Sequence, residues 1–322
     1  MSNLNGTGAV IRCPKGVILS DDLQIPIVPT PLDFGEFWDD ALAEARHFGL
    51  SEIVIEDALQ SNDSATVYRV SFSSLERIKV SGWYAVPKGQ GPFPAVELLP
   101  GYSMRGNFSV RSWAELGICA LGLSIRGHDS DSQIAPGFPG MLCHNITDRY
   151  RYIYRGAFCD AVLGTDFLRS RSEVDKSRIA VSGSSQGGAL TLVTAALAND
   201  IIAAAPDVPF LTNYRYCVGA SASYPYAEIA DLLRQHPDIE SQIWDTVSYF
   251  DVVNFAPQVT CPVLLSVGMK DDVCPAPATL AMAEHIGGSV ELAVYENAAH
   301  EAGTAYPHAI RKAAWIMQQL GV

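Results

Sequence analysis

Several things are scarce in this chain, and each shortage narrows what it does. Among 322 residues, lysine and arginine total 22 against 35 acids, leaving a net charge of −13. An acidic surface repels phosphate backbones, so no nucleic-acid partner is expected. The same shortage removes a polybasic grip on anionic lipid. Apolar runs are also short. None reaches the roughly 18 residues needed to span a bilayer, and the best candidate, 189–211, is broken by Asn199, Asp200 and Asp207. Residues 1–22 lack a basic start followed by an apolar core, so no secretory signal is expected there. The seven cysteines are odd in number and form no Cys-x-x-Cys pair. That pattern points to reduced thiols in a cytoplasmic protein rather than to a disulfide framework. No internal repeat or low-complexity segment is present.

What remains suits a globular protein with a sizeable core, at 48% hydrophobic and 18% charged residues. At about 150 residues per domain the length suggests two domains, yet one large α/β domain also reaches this size. Residues 31–48 place Phe34, Phe37, Trp38, Ala41, Leu42 and Ala45 at helical spacing. Residues 66–86 alternate like paired strands. Short apolar runs then recur at 93–99, 118–125, 178–181, 262–267 and 290–295, each of the first four running into a glycine. Helix-like stretches at 152–168, 187–198, 277–285 and 306–320 separate most of them. This alternation predicts a mostly parallel central sheet with helices on both faces. The strand ends of such a sheet are where active sites collect. Residues 208–257 interrupt the alternation. They are rich in tyrosine, carry a predicted helix at 226–235, and read as a cap-like insertion over the site, with crossover packing as the alternative. The chain thus reads as one catalytic domain, 1–322, with an N-terminal extension over 1–65.

One motif carries chemistry. Gly183-Ser184-Ser185-Gln186-Gly187 fits Gly-x-Ser-x-Gly, preceded by Ile179-Ala180-Val181 and followed by an apolar helix-like run. Strand, sharp turn and helix make a nucleophile elbow, whose glycines let the serine hydroxyl rise above the sheet. The following helix N-terminus favours negative charge there. A serine needs a base to take its proton, and the base needs a carboxylate. With an elbow of this kind the order is serine, acid, histidine. His300 follows a strand through Asn297-Ala298-Ala299, whereas His285 and His308 sit in predicted helices. Asp271 and Asp272 both follow the strand ending at Gly268, and spacing does not choose between them. Asp251 is a weaker candidate because no strand precedes it. The oxyanion needs two backbone N–H donors. Gln186, after the nucleophile, and Tyr102, in the loop after 93–99, occupy the right places.

These motifs resemble the family-7 carbohydrate esterases, the acetyl xylan esterase and cephalosporin C deacetylase group of α/β-hydrolases. The likeness runs from Asp33-Phe34 and Glu36-Phe37-Trp38 through Gly101-Tyr102, Arg126-Gly127 and the 183–188 elbow. It continues through Asp207-Val208-Pro209-Phe210-Leu211, Pro225-Tyr226-Ala227-Glu228-Ile229, Ser248-Tyr249-Phe250-Asp251, Val273-Cys274-Pro275 and His300-Glu301. The resemblance implies Ser185 as nucleophile, Asp271 as acid and His300 as base. It implies Tyr102 and Gln186 as oxyanion donors, with Tyr102 and Pro209 lining the substrate pocket. It also implies small acyl esters of sugars as substrates, no metal or organic cofactor, and an intracellular homo-oligomer, often a hexamer. A different bond on the same triad (a lactone, thioester or short peptide) and a non-catalytic binding protein on the same scaffold are the rival readings. One position departs from the family. Its usual Arg-Gly-Gln is here Arg126-Gly127-His128. His128 precedes the serine, the wrong order for a triad base, and so reads as a supporting residue. Arg126 reads as a structural fork of hydrogen bonds.

Overall fold

The protein is described by a computed structural model over residues 9–12, 25–26, 28–51, 53–57, 60–104, 109–128, 134, 136–198, 200–303 and 306–322. Most of the proline-dotted segment 1–30, with Cys13, Asp129, Ser130 and Asn199, lies outside the described residues. The strands are β1 (Ala9–Arg12), β2 (Val54–Asp57), β3 (Ala65–Ser73), β4 (Lys79–Pro87), β5 (Phe93–Leu99), β6 (Cys119–Ser124), β7 (Val174–Ser184), β8 (Ile201–Asp207), β9 (Val263–Gly268) and β10 (Val290–Tyr295). They form one ten-stranded sheet in the order β1-β10-β9-β8-β7-β5-β6-β4-β3-β2. From β10 across to β6 every pairing is parallel. Antiparallel pairings add β1 at one edge and β4, β3 and β2 at the other.

The helices are α1 (Phe34–Phe48), α2 (Val110–Glu115), α3 (Ile153–Ser170), α4 (Gln186–Leu197), α5 (Tyr214–Ala220), α6 (Tyr226–Gln235), α7 (Glu240–Val247), α8 (Val252–Phe255), α9 (Ala276–Ala283) and α10 (Tyr306–Leu320). The apolar stripe of α1 is the one its spacing predicts, and all six of its residues are buried. Two cores result, one on each sheet face. The larger holds α1, α3, α4 and the aromatic residues of 208–257. In the smaller, Val67, Val96, Ala120 and Ala180 of the sheet pack beneath Val110, Ala114, Ile316 and Leu320 of α2 and α10. Strand β8 is absent from the sequence expectation. Its Ile-Ile-Ala-Ala-Ala-Pro-Asp sequence has little β-branched content, and only its place between β7 and β9 makes it a strand.

The chain order places the site. From β5 the sheet grows one way to β6, then the other way through β7, β8, β9 and β10. The switch point therefore lies between β5 and β7. Ligands bind outside the carboxyl ends of strands at such a point. Tyr102 follows β5 and Ser185 follows β7.

One core residue is out of character. Glu97, on β5, has both carboxyl oxygens buried with no hydrogen-bond partner among the described residues. Its carboxyl lies flat on α3 at Gly164, where a Cβ would come within 1.9 Å of Oε1. Burial raises its pKa well above the ordinary carboxyl range. The folded chain therefore holds a proton there that the unfolded chain releases, and stability falls as pH rises above the unfolded value. Denaturant melts at pH 5 to 8 should show Glu97→Gln with a flatter pH slope than the parent. Glu97→Met should gain about 1–3 kcal/mol at neutral pH. A destabilised Glu97→Met protein would refute this.

Candidate active site

The turn after β7 is built by close backbone approach. A Cβ on Gly183 would meet Gly187 at 2.5 Å, and one on Gly187 would meet the Leu99 carbonyl at 2.3 Å. Side chains are therefore excluded at both positions. Between them Ser185 adopts φ 58° and ψ −119°. For a non-glycine residue this is strained backbone, costing on the order of 1–3 kcal/mol and held by its surroundings. The surroundings are specific. Ser185 N–H donates to the Asp207 carbonyl at 2.9 Å, and its own carbonyl accepts from Phe210 N–H and Ala189 N–H, each at 3.0 Å. Helix α4 starts at Gln186, whose N–H is among the first-turn donors without an intrahelical partner.

The other two expected residues arrive from β9 and β10. Their loops are laced together: Met269 N–H donates to the Tyr295 carbonyl and Lys270 N–H to that of Ala298. Gly268 permits this, because a Cβ there would come within 2.2 Å of the Ala299 carbonyl. Asp271 Oδ1 accepts from the N–H groups of Val273 and Cys274 at 2.9 and 2.8 Å. Its Oδ2 lies 2.9 Å from His300 Nδ1. A carboxylate only accepts, so Nδ1 carries the proton and Nε2 keeps its lone pair. Asp272 points elsewhere, its carboxylate accepting from the Ser223 hydroxyl. Asp251 caps α8 and accepts from the N–H groups of Asn213 and Tyr214. Burial pushes its pKa up to about 6.

Ser185, His300 and Tyr102 line one cavity of about 800 Å³, with Met104, Trp113, Tyr224, Pro225, Val273 and Lys312 among its walls. The buried Cys274 thiol neighbours Ser185, and burial pushes its pKa up. Gln186 and Pro209 are buried behind the wall, with Pro209 packed against Gly188 at the start of α4. One group of three metal-ligand types occurs among the described residues: Asp271, Cys274 and His300, with atoms within 4.8 Å of one another. The histidine and carboxylate of that group already bond to each other, which suits proton transfer. The described cysteines are free, and all but Cys143 are fully buried. No described helix is long and apolar enough to cross a membrane.

His128 supports Gln186. Its Nδ1 lies 3.1 Å from the Arg126 carbonyl and therefore donates, so Nε2 accepts from Gln186 Nε2 at 2.9 Å. Tyr154 donates to the other end of the amide at 2.7 Å. Burial lowers the His128 pKa and keeps it neutral. A glutamine can accept the same bond. His128→Gln should therefore retain activity within about threefold, while His128→Leu should lose about tenfold or more in kcat. Equal activity in both variants, measured on p-nitrophenyl acetate, would contradict this role.

Sequence reasoning missed a buried cluster beneath the nucleophile. Asp207 Oδ1 lies 2.7 Å from His308 Nε2 and accepts from the Ser266 hydroxyl at 3.0 Å, while Oδ2 pairs with Lys312. His308 Nδ1 in turn accepts from the Tyr295 hydroxyl at 2.8 Å. This cluster fixes the residue whose carbonyl holds Ser185. No local pattern reveals it, because Asp207, Ser266, Tyr295 and the His308–Lys312 turn of α10 come from separate parts of the chain.

A mostly parallel sheet, a strained serine turn at its switch point and a histidine–carboxylate pair at the neighbouring strand ends define an α/β-hydrolase. The acetyl xylan esterase (AXE1) family model matches residues 24–319, and the chain belongs to that family. It is 30% identical over 273 residues to the acetyl esterase Axe7A of Xylanibacter ruminicola, covering 80% of this chain and 60% of that protein's length. The acetyl xylan esterase from Paenibacillus sp. R4 superposes with a TM-score of 0.83 at 31% identity, covering 91% of this chain and 96% of that one. Acetyl xylan esterase 1 from Thermoanaerobacterium sp. JW/SL YS485 gives 0.84 at 26% identity, with 92% and 96% covered.

Proposed function

We propose that this chain is a serine carboxylester hydrolase that removes acetyl and other small acyl groups from sugars or related small alcohols. The observation that carries the reading is the Asp271–His300 pair at the same cavity as the strained Ser185. His300 Nε2 takes the serine proton as Oγ attacks the ester carbonyl. The N–H groups of Gln186 and Tyr102 stabilise the oxyanion, each worth on the order of 2.7–4 kcal/mol of barrier. His300 then returns the proton to the leaving alcohol, and water releases the acid from acyl-Ser185. No metal or organic cofactor enters these steps. Family membership supports acetyl as the acyl group, and acetylated xylan fragments and cephalosporin C acetate are the substrates to try first.

The chain acts in this reading as one catalytic domain, with 208–257 as its cap; Tyr224 and Pro225 in the cavity wall support that role. The six cysteines among the described residues are free, which supports a cytoplasmic setting. The exposed Val54 and Ile55 of edge strand β2 support assembly of copies, as in a homo-oligomer such as a hexamer. The test is a substrate series of p-nitrophenyl acetate, longer acyl esters, acetylated xylo-oligosaccharides, thioesters, lactones and peptide anilides. Preference for acetate esters is expected. Preference for anilides would remove the deacetylase assignment, and failure of a fluorophosphonate to label Ser185 would favour a non-catalytic scaffold.

A further inference from the structure

Glu228 sits in the first turn of α6, within 208–257, and is 3% exposed. A buried carboxyl needs partners. One partner belongs to the candidate oxyanion loop and the other to the turn at Met141–Cys143. Oε1 accepts from the Tyr102 hydroxyl at 2.6 Å. Oε2 accepts from Leu142 N–H at 3.0 Å. The same Leu142 N–H lies 3.0 Å from the Tyr102 oxygen, which closes a three-membered ring of hydrogen bonds. The carboxyl is pressed so close to the chain that a Cβ on Gly140 would come within 2.3 Å of it. Gly140 thus leaves the space that Glu228 fills.

Geometry makes the Tyr102 side chain a lever on its own backbone. The loop is a tight turn, with Met104 N–H donating to the Gly101 carbonyl at 3.1 Å and Ser103 at φ 56°. Gln186 Nε2 approaches the carbonyls of Pro100 and Gly101 at 3.3 and 3.4 Å, so one end of the loop rests on the residue after the nucleophile. The Tyr102 ring then crosses edge-on to His128 and Phe210, and its far end is held at Glu228. With both ends held, the direction of the Tyr102 N–H is set. An oxyanion donor must be aimed before charge develops, because reorienting it during the reaction costs part of its benefit.

We infer that Glu228 is a positioning residue for the oxyanion hole, acting by holding the Tyr102 hydroxyl and so aiming the Tyr102 N–H. The inference rests on the esterase reading above, in which that N–H is a donor. It assigns α6 a second task. The helix whose start frames the cavity also fixes the group that stabilises the transition state.

Steady-state kinetics on p-nitrophenyl acetate test it, using Glu228→Ala, Glu228→Gln, Tyr102→Phe and the double variant Tyr102→Phe/Glu228→Ala. Each is first checked by thermal melt and by fluorophosphonate labelling. Glu228→Ala should lower kcat about 10- to 100-fold with KM changed less than about threefold. Glu228→Gln still offers an acceptor oxygen to Tyr102 but loses the bond from Leu142 N–H, and should recover part of the loss. Glu228 acts through the hydroxyl, so the double variant should be no slower than the slower single variant. Losses that multiply in the double variant, a folded Glu228→Ala protein with unchanged kcat, or an effect confined to KM would each overturn the inference. If Glu228→Ala does not fold, Tyr102→Phe and Glu228→Gln decide: unchanged kcat in Tyr102→Phe overturns it. The esterase reading fails separately, through retained activity in a Ser185→Ala protein.

Discussion

Ser185→Ala should lose at least about 10³-fold in kcat, and up to about 10⁶-fold, while keeping its fold. The alanine lacks the only atom that can form the acyl-enzyme, and the oxyanion donors alone leave a small residual rate. Stability should be unchanged, because serine and alanine are equally strained at φ 58°. Ser185→Gly separates chemistry from strain. It should be as inactive, yet more stable by about 1 kcal/mol, since glycine adopts positive φ without a Cβ clash. Turnover and urea midpoints on purified variants give both quantities. Full activity in Ser185→Ala would remove the nucleophile assignment. A destabilised Ser185→Gly would show that the turn carries no strain.

Loss of a buried ion pair is expected to give the largest stability effect in the molecule. The Arg126 side chain is 2% exposed and that of Asp160 is 0% exposed. Arg126 donates through Nε and Nη2 to the two carboxylate oxygens at 2.9 and 2.8 Å, and its backbone N–H adds a third bond at 2.9 Å. Nη2 also donates to the Leu75 carbonyl at 3.1 Å. This fork ties the end of β6 to α3 and to the turn before β4. Gly156 makes room for it, since a Cβ there would come within 1.9 Å of the guanidinium. Arg126→Met leaves Asp160 buried without a countercharge, held only by the residue-126 N–H and the Ser74 hydroxyl, which costs about 3–5 kcal/mol. Replacing both partners, as in Arg126→Met/Asp160→Leu, should cost less than the single change, because no charge is then stranded. Chemical denaturation measures both. Arg126→Met should also slow hydrolysis, because the side-chain fork holds the backbone of residue 126 in place, and the carbonyl there orients His128, which in turn holds Gln186. A single variant no less stable than the double would contradict the pairing argument.

Local chemistry made much of the catalytic frame legible. The stripe from Phe34 to Ala45 identifies α1 because helical periodicity is a property of neighbouring residues. Gly183 and Gly187 mark the elbow because only glycine tolerates that approach. The order of serine, acid and histidine limits the base to a loop histidine. Strand β8 stayed hidden because alanine carries no β signal of its own. The choice of Asp271 came from family resemblance, since two adjacent aspartates after one strand are equivalent by spacing. In the fold, the N–H groups of Val273 and Cys274 hold Asp271 toward His300, while Asp272 turns to Ser223.

The sequence by itself therefore determined most element types, the chemistry of the nucleophile turn and the order in which acid and base follow it. The first two depend on residues a few positions apart, and the third on chain order alone. The tertiary structure alone decided which distant side chains meet: Glu228 with Tyr102, His308 and Lys312 with Asp207, His128 with Gln186. Each of these pairs joins separate elements across the sheet or the insertion. Their partners are set by strand order and by the space that glycines such as Gly140 and Gly156 leave open, and neither is written in any local stretch of the chain.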